Sequence, residues 1–175
     1  MNSIDIVFQA YLVGVRTPFV TEFMYLLTTI FDLSLEFAIV VLCITVLVYL
    51  IKGKKYAILF PSALIAGGIL TYFLKMFFNV SRPLDTLIAP FGQSFPSYHS
   101  VIATIFFGML IYIFNDYLKK PWRVILNIFC VVMVILISFS RLYLGVHWLS
   151  DVLGGILLGI LVIYVSVKIF KIVLK

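Results

Sequence analysis

A chain of 175 residues that is 64% hydrophobic and only 11% charged carries more apolar surface than one water-soluble domain hides, since soluble domains average about half apolar and about a quarter charged residues. The composition, with a mean hydropathy of +1.22, excludes a soluble fold and points to one all-α domain over residues 1–175, a polytopic transmembrane helical bundle. The net charge of +6 then reflects lysines and arginines that set topology, not a nucleic-acid footprint.

In chain order, Met1 to Asp5 lacks the positive region of a cleaved signal peptide, so membrane targeting is expected to fall to the spans. Ile4–Val15 and Phe19–Phe31 are apolar but short and are broken by Arg16 and Pro18. Thr17 and Pro18 suit a helix N-cap and first position. Residues 1–32 are expected to form interfacial helices, with a sixth span in this region as the alternative. Residues 33–175 form the expected transmembrane core. Its five apolar stretches are roughly Leu33–Ile51, Tyr56–Leu74, Val101–Phe114, Val124–Ser140 and Val152–Val167. At about 1.5 Å per residue the longer ones cover nearly all of a hydrocarbon core of about 30 Å. Cys43 and Cys130 lie inside these runs and read as packed or lipid-facing thiols, with no disulfide and no metal.

Five spans divide the charges between two faces. One receives Lys52, Lys54, Lys55, Lys119, Lys120, Arg123, Lys168, Lys171 and Lys175, with Asp116 as its acid. The positive-inside bias makes that face cytoplasmic. The other, extracytoplasmic, receives Arg16, Lys75, Arg82 and Arg141 with Asp5, Glu22, Asp32, Glu36, Asp85 and Asp151. Both histidines of the chain, His99 and His147, also fall there.

Three of these cations, Lys75, Arg82 and Arg141, on the face opposite to the positive-inside bias make an anion site, for which a dianionic phosphoryl group is the natural ligand. If the helix continues from Lys75 to Pro83, Lys75 and Arg82 project from one side, two turns apart. The first turn of the third span, near Ser97–Ser100, offers backbone N–H groups and a helix dipole. His147 and Asp151 are four residues apart, so on a helix they share a face. Asp151 would then hold the proton on Nδ1 and leave Nε2 as a lone pair aimed at phosphorus. His99, from another span, supplies an acid for the leaving oxygen. A structural His–Asp cap and an anionic-lipid binder without chemistry are the alternatives to this reading.

These residues fall into ordered motifs. Lys75-Met-Phe-Phe-Asn-Val-Ser-Arg82-Pro83, Pro96-Ser97-Tyr98-His99 and Ser140-Arg141-Leu-Tyr-Leu-Gly-Val-His147-Trp-Leu-Ser-Asp151 resemble the three signatures of the type-2 phosphatidic acid phosphatases, in the family's order and spacing. The resemblance implies a membrane helical bundle, usually of six spans, and a lipid phosphatase acting through a phosphohistidine on His147. It also implies orientation of His147 by Asp151 and acid–base work by His99. Phosphate binding falls to Lys75, Arg82, Arg141 and the Ser97 hydroxyl, with no cofactor and no metal. The chain departs from the pattern at Tyr98, where the family usually has glycine; a positive φ there would strain a tyrosine, whereas an ordinary φ leaves its N–H for the phosphate. The implied partners are the bilayer and a membrane lipid phosphate: phosphatidic acid, phosphatidylglycerophosphate, a polyprenyl diphosphate or a lipid A phosphate. A phosphotransferase of the same superfamily would use the same histidines. In a bacterial host the expected location is the inner (cytoplasmic) membrane with the site on the extracytoplasmic face. Oligomeric state is not readable.

Overall fold

The computed structural model describes residues 3–32, 34–89 and 92–173. Leu33, the expected start of the first span, and Lys175, assigned to the cytoplasmic face, lie outside the described residues. Among those described, seven helices occur and the architecture is all-helical: α1 (Ser3–Gly14), α2 (Pro18–Thr29), α3 (Leu35–Lys52), α4 (Lys54–Phe78), α5 (Tyr98–Phe114), α6 (Lys120–Tyr143) and α7 (Leu149–Val173). Each of the five expected spans is a helix. α3, α4, α6 and α7 are long and apolar enough to cross a membrane, and the chain is an integral membrane protein.

Local chemistry sets the helix ends. Thr17 caps α2 by accepting from the Val20 N–H, and Pro18 follows as the first helical residue. Ser34 caps α3 in the same way through the Phe37 N–H. Gly53, at φ +83°, ends α3 and opens α4. α4 stops at Asn79, which takes the left-handed conformation at φ 47° that asparagine tolerates better than most residues.

The span expected to be shortest is the centre of the bundle. α5, with 17 residues, extends about 26 Å, and α4, α6 and α7 pack around it. Its Val101, Ala103, Ile105, Met109 and Ile113 are fully buried. Protein rather than lipid therefore surrounds this helix. The outer helices do the reverse and expose leucine, isoleucine, valine and phenylalanine along their outward faces. At one end Tyr56 packs against Phe170 at 5.0 Å, and Lys52 lies over Tyr56 at 5.3 Å. This gathers the start of α4 and the end of α7 where the lysines cluster.

The opposite end carries the motif residues, and α1 and α2 brace it. The buried Asp5 accepts from the Ser150 N–H and hydroxyl, both at 2.9 Å, which caps the start of α7 from outside the helix. Arg16 donates to the carbonyls of Tyr143 and Asp85, each at 3.0 Å, and the Thr17 N–H donates to the Tyr143 hydroxyl at 2.8 Å. α1 and α2 have 12 residues each, about 18 Å, too short to cross a core of about 30 Å.

Candidate active site

The site is built from the end of α4, the irregular residues 79–89 and 92–97, the start of α5, the end of α6, the turn 144–148 and the start of α7. α4 ends at Phe78, so Lys75 and Arg82 do not lie two turns apart on one continuous helix. The chain turns at Asn79, and the two cations meet by folding back. The Ser94 N–H donates to the Val80 carbonyl at 2.8 Å and latches the segment onto itself. Lys75 Nζ then donates to the carbonyls of Gln93 at 2.5 Å and Ser94 at 3.1 Å. The Arg82 guanidinium donates to Gly92 at 2.8 Å, Gln93 at 3.0 Å and Val146 at 2.6 Å. Outward-pointing carbonyls, a feature no side-chain pattern reveals, hold both cations in place.

His147 also departs from the helical expectation. It lies in the turn before α7, which starts at Leu149, and Gly145 at φ +76° makes that turn. A side chain on Gly145 would collide with the Asp85 carbonyl and with Arg16, so only glycine lets the turn pass beneath the N-terminal helices. His147 is 2% exposed. Its Nε2 lies 3.3 Å from an Arg82 guanidinium nitrogen. Arginine only donates, so Nε2 carries the lone pair and the proton sits on Nδ1. Nδ1 lies 3.4 Å from Asp151 Oδ2 and 3.4 Å from Ser94 Oγ. Ser94 in turn donates to Asp151 Oδ2, which also accepts the Trp148 N–H at 2.8 Å. These contacts favour the tautomer with the proton on Nδ1, and Ser94, which the motifs did not single out, contacts both His147 and Asp151. Burial first, then the nearby cations Arg82, Lys75 and Arg141, push His147 well below the ordinary imidazole range.

The start of α5 is pressed onto α7. The Ser97 N–H donates to the Asp151 carbonyl at 3.1 Å. A side chain on Gly155 would lie 2.8 Å from the Ser97 carbonyl, so this glycine permits the approach. Ser97 is fully buried, and its hydroxyl accepts from Ser100 at 3.1 Å, which leaves its own proton to donate. Tyr98 is not among the residues at positive φ; the tyrosine sits unstrained, its ring edge-on to His99 at 5.8 Å. Arg141 is 5% exposed and donates to the Thr28 hydroxyl at 2.9 Å. Arg82 contacts His147 directly, and Lys75, Arg141 and His99 lie near enough for their charges to act on it. Asp32, assigned from sequence only to the face, contacts His99 directly, its Oδ1 2.9 Å from Nε2.

A buried imidazole with Nε2 beside a guanidinium could attack an anion held by that guanidinium. The profile of the PAP2 superfamily matches residues 56–174. The chain belongs to that superfamily. It is 34% identical over 121 residues to undecaprenyl-diphosphatase of Sulfolobus acidocaldarius, covering 67% of this chain and 54% of that protein. It is also 34% identical over 94 residues to phosphatidylglycerophosphatase B of Bacillus subtilis, covering 52% of this chain and 46% of that one. The chain spans about half the length of these curated relatives. The transmembrane PAP2-type phosphatidylglycerolphosphate phosphatase from Bacillus subtilis superposes with a TM-score of 0.87 at 26% identity, over 99% of this chain and 87% of that one. LpxE of Aquifex aeolicus superposes with a TM-score of 0.76 at 21% identity, over 95% and 96%, a likeness of fold. The first superposition takes in α1 to α3, which lie wholly outside the profile match.

Proposed function

We propose that this PAP2 superfamily member is a lipid phosphate phosphatase that hydrolyses a phosphomonoester or diphosphate of a membrane lipid through a phosphohistidine on His147. The observation that carries the reading is the position of His147 Nε2, its lone pair 3.3 Å from an Arg82 nitrogen and its Nδ1 backed by Asp151 and Ser94. A phosphoryl group gripped by Arg82 sits next to the nucleophile.

In the first step Nε2 attacks phosphorus, the P–N bond forms and the P–O bond to the lipid breaks. The bonding pair leaves with the lipid oxygen, which takes a proton from His99. In the second step His99 removes a proton from water, the resulting hydroxide attacks phosphorus, and the P–N pair returns to Nε2 with release of inorganic phosphate. Lys75, Arg82, Arg141, the Ser97 hydroxyl and the first N–H groups of α5, Tyr98 among them, stabilise the charge on the equatorial oxygens. These fixed cations take the charge-neutralising role that a metal ion has in other phosphoryl-transfer sites, so turnover needs no metal.

A lipid substrate is supported by the apolar rim. Phe77 is 80% exposed and Leu84 98%, on either side of the segment that carries Arg82. The names of the relatives point to undecaprenyl diphosphate and phosphatidylglycerophosphate as substrates to test first, beside phosphatidic acid and lipid A phosphate. The site faces the extracytoplasmic side of the cytoplasmic membrane, because the lysine-rich ends of α3, α6 and α7 lie at the other end of the bundle. α1 and α2 lie in the interface around the site, within one domain.

The test is phosphate release from these four lipids by the purified protein in detergent with EDTA. Release that persists in EDTA and is lost in His147→Ala supports the reading. No release from a folded protein overturns hydrolysis and directs the search to acceptor lipids.

A further inference from the structure

The loop between α2 and α3 lies outside the profile match, yet it enters the site and is held there from several sides. Phe31 is 5% exposed and packs against Phe37 at 5.4 Å and against Phe106 and Phe107 of α5 at 5.8 Å. The Asp32 N–H donates to the Thr29 carbonyl at 3.1 Å, and the Asp32 carbonyl accepts from the Ser34 N–H at 2.8 Å. Three residues before Phe31, Thr28 accepts from Arg141. The Asp32 carboxylate is thus delivered to His99 by a braced backbone, its Oδ1 2.9 Å from Nε2 of a ring whose residue is 6% exposed. A pair of exposed surface charges contributes little stability; here the Asp32 side chain is 49% exposed, but its backbone is hydrogen-bonded on both sides and its partner ring is buried.

From this geometry we propose that Asp32 is the positioning residue of His99, holding a proton on Nε2 so that Nδ1 exchanges a proton with the departing lipid oxygen and then with water. The site then holds two histidine–carboxylate couples, His147 with Asp151 for attack and His99 with Asp32 for departure. The hydrogen bond from His99, against partial burial, holds the Asp32 carboxyl below its ordinary value, so the carboxylate is ionised at neutral pH; the second proton of the His99 ring is the one it takes up beside the bound phosphate dianion. As the P–O bond breaks, the Nδ1 proton moves to the leaving oxygen, the Nε2 proton stays shared with Asp32, and the ring becomes the neutral base that later deprotonates water. Asp32 itself gains and loses no proton.

This inference rests on the phosphatase reading, and one experiment separates the two. kcat/KM is measured for wild type, Asp32→Ala, Asp32→Asn and Asp32→Glu with phosphatidic acid, whose alcohol leaves only with a proton, and with p-nitrophenyl phosphate, whose phenolate leaves without one. Wild-type release from phosphatidic acid, lost in His147→Ala, upholds the phosphatase reading; release from none of the four lipids removes both claims, and where another of the four is the substrate it replaces phosphatidic acid in the comparison. With that control in place, Asp32→Ala should lower kcat/KM for phosphatidic acid by about 100-fold, the scale of a lost general acid, and for the aryl ester by less than about fivefold. Asp32→Asn keeps an acceptor oxygen and should fall between wild type and Asp32→Ala, and Asp32→Glu should restore part of the loss. An equal fall for both substrates, or no fall for phosphatidic acid, overturns the assignment. Because the readout is a ratio within one variant, a partly unfolded preparation does not imitate the expected result.

Discussion

Ser94 donates its hydroxyl to the Asp151 oxygen that faces the imidazole of His147, and the same hydroxyl oxygen lies 3.4 Å from His147 Nδ1. The His147 ring therefore faces a buried triangle rather than a lone carboxylate. Ser94→Ala removes one corner and leaves Asp151 Oδ2 with the Trp148 N–H and the histidine. A net loss of about 1–2 kcal/mol corresponds to a fall of about tenfold in kcat/KM. Steady-state kinetics on the best lipid substrate, with the melting temperature as a fold control, measure it.

The buried state of His147 sets a pH dependence of stability. Its pKa lies well below the unfolded value of 6.5, so below that pH the unfolded chain binds a proton that the folded chain refuses. By linkage this contribution to stability is fully present above 6.5 and is lost as the pH falls below it. The Asp32 carboxyl lies below 3.8 and stays ionised throughout a scan from pH 5 to pH 7. The melting temperature should therefore rise across that window, and His147→Gln should flatten the His147 share of the rise. An unchanged slope in the variant would contradict the buried, neutral imidazole.

Asp5 and Ser150 join the N-terminal helix to the start of α7, three residues from His147. Asp5→Ala removes two charge-assisted hydrogen bonds from a buried position and uncaps the helix, at a cost of about 2 kcal/mol or more. The melting temperature should drop by several degrees. Ser150→Ala, which keeps the backbone bond, should drop it less. Thermal unfolding in detergent compares the two.

Gly145→Ala should be more harmful than its size suggests. Its φ of +76° costs an alanine about 1–2 kcal/mol, and the new methyl meets the Asp85 carbonyl, which is backbone and cannot swing aside. The turn that carries Val146 and His147 must then shift. Turnover should fall more than substrate affinity, read as a lower kcat at little-changed KM.

Much of this was legible in the sequence because charge is scarce in an apolar bundle. With two histidines in the chain, the motif spacings alone pick out His99, His147, Asp151 and the three cations, and the structure gathers all of them. Asp32 was not legible as a partner of His99, because 67 residues and an aromatic cluster separate cause from contact. Ser94 was hidden in the same way, 57 residues from Asp151. The carbonyl cradle of Lys75 and Arg82 was beyond any side-chain pattern, since main-chain oxygens look alike in every sequence. The end of α4 did leave a signal. Asn79 is a residue that tolerates the left-handed turn, and reading it as a helix stop would have placed Arg82 in the loop where it lies. The central place of α5, the shortest expected span, was not legible, because burial by neighbouring helices is not written in length or hydropathy.

The most direct test of the central claim is rapid-quench trapping of the covalent intermediate. The protein is mixed with lipid phosphate, quenched in alkali where a phosphohistidine survives, and mapped by mass spectrometry. A phosphoryl group on the peptide containing His147, absent in His147→Ala, is the expected result. Phosphate release that proceeds with no label on that peptide, or a label that persists in the variant, would contradict His147 as the nucleophile.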